Sequence, residues 1–478
     1  MTTVERGVET LLPYVPALLG RWTPGGADPR HLRLEGSLAF VDISGFTRLT
    51  ERLAAHGKVG AEQMSDMLSA TFTGLLTAIR DEGADLVKWG GDAMLLLFDG
   101  PDHATRAARS AHRMRATLAD IGAVRLPSGT VRLRMSVGVH SGAFDFFLVG
   151  DPAIHQELLI SGPGASRTAD MEAAAAAGQI GVSTPTAMLL GPRVLGAALA
   201  DGRLLRSAPT GGATGLVPIA RQPVDEPGRL LPPPIRSHLL EGATEPEHRL
   251  ITVAFVQFSG TDALLEDRGP QALAEALDDV VRNVQQACVD HDVTFFETDI
   301  NRDGGKIMLT AGAPRTSEHD EDRTLRVARL VLDRAGVLPL RIGVNRGHVF
   351  AGDFGPSFRR TYSVKGDAIN LAARVMAKAR PGQLLATVEV VAHSQTVFRT
   401  SELEPFAVKG KSQLVRAVEV GELIGARGAE RPSVPIMGRD RELAVLEEAV
   451  ADARSGAGRL VQVVGEGGIG KSRLVDEP

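Results

Sequence analysis

Short apolar runs rich in β-branched residues alternate along this chain with longer stretches in which apolar residues recur at helical spacing. Leu38-Ala39-Phe40-Val41 and Leu250-Ile251-Thr252-Val253-Ala254-Phe255-Val256 read as buried strands. Ala61 to Arg80 and Pro270 to Asp290 read as amphipathic helices lying on a sheet. Runs around 93–98 and 307–310 follow Gly-Gly or Gly-Gly-Lys turns and read as second strands of hairpins. Locally paired strands covered by helices define an α+β fold. Segment 5–22 reads as a helix broken by Pro13 and Pro16, and 321–334 as a helix whose arginines form a solvated face. Ala173–Ala177 is a helix-favouring run.

The pattern occurs twice. Phe40-Val41-Asp42-Ile43-Ser44-Gly45 returns as Phe255-Val256-Gln257-Phe258-Ser259-Gly260, and Gly90-Gly91-Asp92-Ala93-Met94-Leu95 as Gly304-Gly305-Lys306-Ile307-Met308-Leu309. Val137-Gly138-Val139-His140-Ser141-Gly142 returns as Ile342-Gly343-Val344-Asn345-Arg346-Gly347, and Gly162 as Gly366. Four matches in one order indicate a duplicated domain. The expected organisation is an N-terminal helical segment at 1–33, a first domain at 34–207 and a second at 247–424. A Pro/Gly-rich linker over 208–246, ordered or extended rather than a regular element, joins them, and an incomplete third unit begins at 434.

Composition narrows the function classes. Among 478 residues, 53 Lys and Arg nearly balance 58 Asp and Glu, for a net charge of −5, which argues against a chain that coats nucleic acid or an acidic membrane. The aromatic content of 4% disfavours base-stacking surfaces. The single cysteine, Cys288, excludes an internal disulfide and a Cys-rich zinc site and leads us to expect a cytoplasmic protein. No apolar run is long enough for a membrane span.

Two carboxylates in the first copy sit where chemistry is expected. Asp42 ends a buried strand that runs into Ile43-Ser44-Gly45-Phe46-Thr47 and then a helix, offering backbone amides to phosphate oxygens beside a ligand for Mg²⁺. Asp92 follows Gly90-Gly91 at a hairpin tip, so the pair can bridge two hard cations. The second copy has Gln257 and Lys306 at these places and cannot hold the metals. Downstream the asymmetry reverses. Asn370 and Arg374 lie four apart on one helix face, an amide for a sugar hydroxyl and a guanidinium for a phosphate, whereas the first copy has Ser166 and Asp170. Complementary loss points to one composite site shared by two domains.

These motifs, with Lys88-Trp89-Gly90-Gly91-Asp92, resemble class III nucleotidyl cyclases, and the tandem arrangement is similar to the soluble, bicarbonate-responsive adenylyl cyclases and their bacterial relatives. The resemblance spans residues 34–424. It implies two ferredoxin-like domains in a head-to-tail, pseudo-twofold pair that makes 3′,5′-cyclic AMP and pyrophosphate from ATP. By the family pattern, Asp42, Asp92 and the Ile43 carbonyl bind two Mg²⁺ or Mn²⁺ ions. Amides near Gly45, Phe46 and Thr47 and the side chain of Lys409 hold the triphosphate, while Asn370 orients the ribose and Arg374 stabilises charge at the α-phosphate. Glu297 and Ser363 stand where the family reads the purine edge. Glu297 replaces a lysine, which leaves ATP against GTP open. Ser136 takes the place of a phosphate-binding arginine, for which Arg132 and Arg134, on the same strand face, are candidate substitutes. Lys88 matches a lysine of the bicarbonate pocket. The pocket's arginine is unmatched at Ala169, with Arg167 two residues earlier, so a role for bicarbonate is open. A regulatory nucleotide- or bicarbonate-sensing module is the competing reading, and a guanylyl cyclase a third.

Arg459–Val464 reads as a strand leading into Gly465-Glu466-Gly467-Gly468-Ile469-Gly470-Lys471-Ser472, a complete G-x-x-x-x-G-K-S. Its amides would cradle phosphates, with Lys471 on a phosphate and Ser472 on Mg²⁺. The unit is similar to the start of a signal-transduction P-loop NTPase, but its length leaves no room for a further carboxylate strand, and no ATPase activity is expected of it.

Overall fold

The computed structural model describes residues 3–22, 29–45, 49, 57–91, 93–126, 129–211, 226–242, 247–408, 413–426, 438–464 and 474–475. Two compact units result, 1–425 and 426–478.

The larger unit contains two sheets with the same strand order. In the first domain β1 is His31–Ser44, β2 Asp85–Gly90, β3 Ala93–Asp99, β6 Arg134–Val149, β7 Glu157–Ser161, β8 Ile180–Ser183, β9 Leu195–Leu199 and β10 Gly202–Leu205. They run β2-β3-β1-β6-β8-β10-β9, with β7 added to β6. The short strands β4 (Ala123–Leu126) and β5 (Gly129–Arg132) form a separate ribbon. In the second domain β11 is Glu247–Ser259, β12 Thr294–Asn301, β13 Gly304–Ala311, β14 Leu340–Phe354, β15 Thr361–Lys365, β16 Leu384–Thr387, β17 Thr396–Glu402 and β18 Ala417–Ala426. Their order is β12-β13-β11-β14-β16-β18-β17, with β15 on β14. Each sheet has one corresponding parallel pair, β6–β8 and β14–β16. The α+β duplication read from the sequence is the observed architecture.

Strand alternation explains the layering. Along β11, Ala254, Val256 and Phe258 face the helices Thr261–His291 and Asp320–Asp333, while Ile251, Val253 and Phe255 face the helix Asp367–Lys378. That last helix lies very close to β14. A Cβ on Gly343 would come within 2.1 Å of the Met376 backbone nitrogen, and one on Gly138 within 2.1 Å of the Glu172 nitrogen in the matching helix Pro163–Ala174. Only glycine permits this approach, which accounts for the repeated Val-Gly-Val and Ile-Gly-Val motifs. The helices Gly57–Ala78 and His103–Ile121 cover the first sheet.

The two domains exchange apolar residues reciprocally. Phe350 and Phe354 of β14 belong to the first domain's core, and Phe147, Val149 and Leu159 of β6 and β7 belong to the second's. The N-terminal segment ties across both. It forms a helix, Thr3–Leu11, then 3-10 turns at Leu12–Tyr14 and Ala17–Arg21, broken at Pro13 and Pro16 as the sequence indicates. The Ala17 and Leu18 amides donate to the Asp85 carboxylate at 3.1 and 2.6 Å, and Arg360 N of the second domain donates to Pro13 O at 2.8 Å. Burial raises the Asp85 carboxyl above its ordinary value, against the pull of Arg359 and the two amides.

Four expectations are corrected. The linker does hold a regular element: Pro232-Pro233-Pro234 starts a helix, Pro233–Glu241, because proline fits the first helical turn, and its Ile235 and Leu239 pack with Leu11 and Val15. The alanine run stops being helical after Ala174, where Ala175 is extended and the Ala176 amide turns to the Gln179 side chain. Arg132 lies on β5, outside the main sheet, so it does not share the Ser136 strand. Arg459–Val464 is not a strand, since no described strand pairs with it, and the helix Asp440–Arg454 beside it in sequence buries no residue. The P-loop residues Gly465, Gly470, Lys471 and Ser472 lie outside the described residues. Cys288 is buried in the Thr261–His291 helix, where burial pushes its thiol up. Among the described residues no helix is long and apolar enough to cross a membrane.

Candidate active site

Asp42 lies two residues from the end of β1, half-buried, with Ala93 of β3 and Ser136 of β6 as its Cα partners. Ile43 is fully buried, and Gly45 turns the chain with φ +107. Asp92, Phe46, Thr47 and Lys409 lie outside the described residues. Around Asp42, then, the neighbouring strands present alanine and serine.

The second domain fills the same place with cations. Gln257 accepts a 2.8 Å hydrogen bond from Arg341 Nε, and Lys306 pairs with Asp299 at 3.0 Å. The ladder also shifts one equivalence. Asp42 faces Ala93, while Gln257 faces Lys306, so Lys306 corresponds to Ala93 and the counterpart of Asp92 is Gly305. The Gly-Gly match in the sequence is off by one because the β12–β13 strands extend further towards their tip. Neither Gln257 nor Gly305 is a cation ligand of the first domain's kind, and the two cations would repel a metal ion. The donor chemistry of the first domain fits a hard cation and that of the second does not. No cluster of three His, Cys, Asp or Glu side chains suited to a metal occurs among the described residues.

Asn370 and Arg374 are both half-buried on the Asp367–Lys378 helix, whose preceding Gly366 leaves β15. Arg374 forms no ion pair among the described residues. In the first domain Ser166 accepts from the Asp303 amide at 2.7 Å, and Asp170 lies 3.7 Å from Arg302.

Between these halves lies a mixed apolar and charged seam. Trp89 and Phe72 of the first domain meet edge to face at 5.0 Å, and the Lys365 ammonium of the second stands 5.2 Å from the Phe72 ring and 5.5 Å from Phe354. Ser363 is fully buried on β15, and its Oγ and the Trp89 Nε1 have no hydrogen-bond partner among the described residues. Glu297 sits next to a bulge at Phe296 in β12. Burial raises its carboxyl to about 8, opposed by the charge of Lys365 and reinforced by Asp299. The sequence reading missed Lys365 and named Trp89 only as part of a motif, without a role. The available signal was a lone lysine ending the buried strand Tyr362-Ser363-Val364.

Of the two candidates for a bicarbonate pocket, Lys88 is already paired and Arg167 is exposed. Lys88, next to the matching bulge at Val87 in β2, forms an ion pair with Glu157 and a hydrogen bond to Thr298, and Thr298 also donates to Glu157 at 2.7 Å. An internal carboxylate already takes the charge that an anion would need. Arg167 is exposed on its helix, where its electrostatic reach is to His140. His140 is a core histidine, 2.8 Å from Ser183 and lowered to about 4 by burial. Ser136, where an arginine was expected, donates to Glu172 at 2.7 Å.

A repeated cyclase-like sheet with complementary polar sets defines the class, and comparison with known proteins gives the family. The adenylate and guanylate cyclase catalytic domain profile matches residues 35–198 and 244–418, more than half of the chain, and the chain belongs to that family. Uncharacterized proteins of Mycobacterium tuberculosis are similar. One is 35% identical over 152 residues (30% of this chain, 27% of the relative), another 32% over 195 residues (39% and 32%). The matches thus span about a third or less of those relatives' length. A crystal structure of a class III adenylyl cyclase-like ATP-binding protein from Pseudomonas aeruginosa shares the fold, with a TM-score of 0.55 and 14% identity over 82% of this chain and 93% of that one.

Proposed function

We propose that the chain is an adenylyl cyclase with one composite active site between residues 34–207 and 247–424, converting ATP to 3′,5′-cyclic AMP and pyrophosphate. The observation that carries this reading is the complementary wear of the two halves. Asp42 faces alanine and serine, whereas the matching place in the second domain holds Arg341 and Lys306. Arg374, which forms no ion pair among the described residues, lies in the second domain, and its counterpart Asp170 is a carboxylate.

Asp42, the Ile43 carbonyl and Asp92 would hold Mg²⁺ or Mn²⁺, which neutralises phosphate charge and makes the ribose 3′-hydroxyl more acidic. Amides following Gly45 and the Lys409 ammonium bind the triphosphate. Asn370 orients the ribose so that its 3′-oxygen lines up with the α-phosphorus, and Arg374 meets the charge that grows there as the bond to pyrophosphate breaks. The purine edge falls to Glu297 and Ser363. Burial favours the protonated carboxyl, and in that form it offers one donor and one acceptor, the complement of adenine N1 and its 6-amino group. Ionised, it offers only acceptors, which suits guanine.

A second reading has its own observation. Ser136 is bound to Glu172 and supplies no cation beside Asp42, which favours a regulatory module that binds nucleotide without turnover. Purified full-length chain with Mn²⁺ and either ATP or GTP, assayed for cyclic product, separates the readings. We expect cyclic AMP, and none from Asp42→Ala. Cyclic GTP alone would overturn the base assignment, and bound nucleotide with no product would favour the regulatory module. Activity retained in Asp42→Ala would sink the composite site.

A further inference from the structure

The glycine that follows β1 in the first domain has a counterpart after β11 in the second, and there the helix start beyond it is already occupied. In both domains a glycine of positive φ ends the strand, Gly45 at +107 and Gly260 at +90. In both, its carbonyl accepts from the amide four residues on: Leu49 N to Gly45 O at 3.1 Å, and Leu264 N to Gly260 O at 3.2 Å. In the second domain the hairpin tip between β12 and β13 folds back onto this turn. The Asp303 carboxylate accepts from Gly260 N at 3.1 Å and from Asp262 N at 2.9 Å, and its carbonyl accepts from Gly260 N at 2.9 Å. Asp303 itself holds φ +53 to make the contact. Thr261, between the two amides, is fully buried with a hydroxyl that has no partner among the described residues.

The other positions of this second half-site are also filled from within. Asp303 N donates to Ser166 Oγ of the first domain, where the first site has Asn370. Arg302 faces Asp170, where the first site has Arg374. Lys88 is held by Glu157 and Thr298, where the first site has Glu297. The substrate-like positions are met one by one by internal groups, and several of these contacts join one domain to the other.

We infer that Asp303 stands in the second domain where a phosphate stands in the first, so that the second half-site is filled by its own domain's carboxylate, clasped to the first domain through the Asp303 amide on Ser166, and takes no nucleotide. The analogy with the first site rests on the proposed function; the occupied turn itself does not. A carboxylate and a phosphate oxygen are interchangeable partners for amides at a helix start, which carry positive potential. Removing the carboxylate leaves those amides available to an external anion.

The test uses the full chain and inorganic pyrophosphate in metal-free buffer, followed calorimetrically. Asp303→Ala is expected to bind one more equivalent than the wild type, about tenfold tighter than any second-site binding in the wild type. An unchanged number of equivalents overturns the inference. Should Asp303→Ala fail to fold, Asp303→Gly, which suits the positive φ and leaves no acceptor for the amides, carries the same expectation. In a second arm the wild-type chain is titrated with non-cyclisable 3′-deoxy-ATP and 3′-deoxy-GTP in the presence of Mn²⁺. One equivalent supports a single open site, and two overturn the clasp. No nucleotide bound, with the extra pyrophosphate site present in the variant, would leave the clasp standing and count against the cyclase reading.

Discussion

Replacing Lys88 with methionine tests the seam between the domains most directly. Lys88 and Glu157 are 8% and 9% exposed, which puts the pair in the buried regime and not among surface ion pairs worth about 0–1 kcal/mol. Among the described residues, Lys88→Met leaves Glu157 with one hydrogen bond, from Thr298, and no Lys or Arg in contact. His155, 3.8 Å away, cannot take over, because burial lowers its ring to about 4 and keeps it neutral at pH 7. Stranding a buried carboxylate costs about 3–5 kcal/mol, whereas removing both charges together is often close to neutral. We therefore expect Lys88→Met to destabilise the chain by about 3–5 kcal/mol and Lys88→Met/Glu157→Met by less than half of that. Urea unfolding at pH 7 measures both, with fluorescence and circular dichroism transitions compared for coincidence. Glu157 also gives the pH direction. Although burial opposes ionisation, Lys88 and His155 hold its carboxyl below the ordinary value. A lowered carboxyl stabilises the fold above the unfolded pKa, and that stability is lost as pH falls through the folded value. The single-mutant penalty should accordingly shrink on acidification. A penalty under about 1 kcal/mol at pH 7 would refute the reasoning.

Glu297 has the opposite sign: with its carboxyl raised to about 8, the stability it contributes is present below the unfolded value near 4.5 and is lost as pH rises through about 8. Thermal unfolding between pH 6 and 9 should show that slope, and Glu297→Gln should remove it. Arg374→Ala is expected to lower kcat by about 10²–10³, read by single-turnover cyclic nucleotide formation, with nucleotide affinity changed much less. Gly343→Ala drives a Cβ to within 2.1 Å of the Met376 nitrogen, so we expect about 1–3 kcal/mol of destabilisation in urea and a matching loss of activity as the Asn370–Arg374 helix is displaced.

Much of this fold was legible because duplication gave each pattern two chances to appear. The strand around Phe40 and Val41, the hairpins and the repeated glycine before β6's helix and β14's helix were all visible as apolar runs and motif matches. The helix Pro233–Glu241 was hidden by its prolines, whose effect depends on standing at a helix start rather than inside one. The register of Lys306 was hidden because similar glycine pairs align in sequence more easily than the strand ladder allows. Partnerships between residues far apart in the chain were out of reach: nothing in a linear pattern announces that Glu157 neutralises Lys88 or that Asp303 folds back on Gly260. Lys365 was the one such residue that left a trace, as a charge in an apolar strand.

The exchange of Phe350 and Phe354 for Phe147 and Val149 between the two cores has a consequence for how activity scales. When two separate chains must meet to complete a site, dilution pulls them apart and specific activity falls. In the proposed composite site both halves belong to one chain, so their meeting does not depend on protein concentration. Turnover per chain should stay constant over a wide range of protein concentration. Control of such a chain would then act on the fit between its halves rather than on how many of them meet.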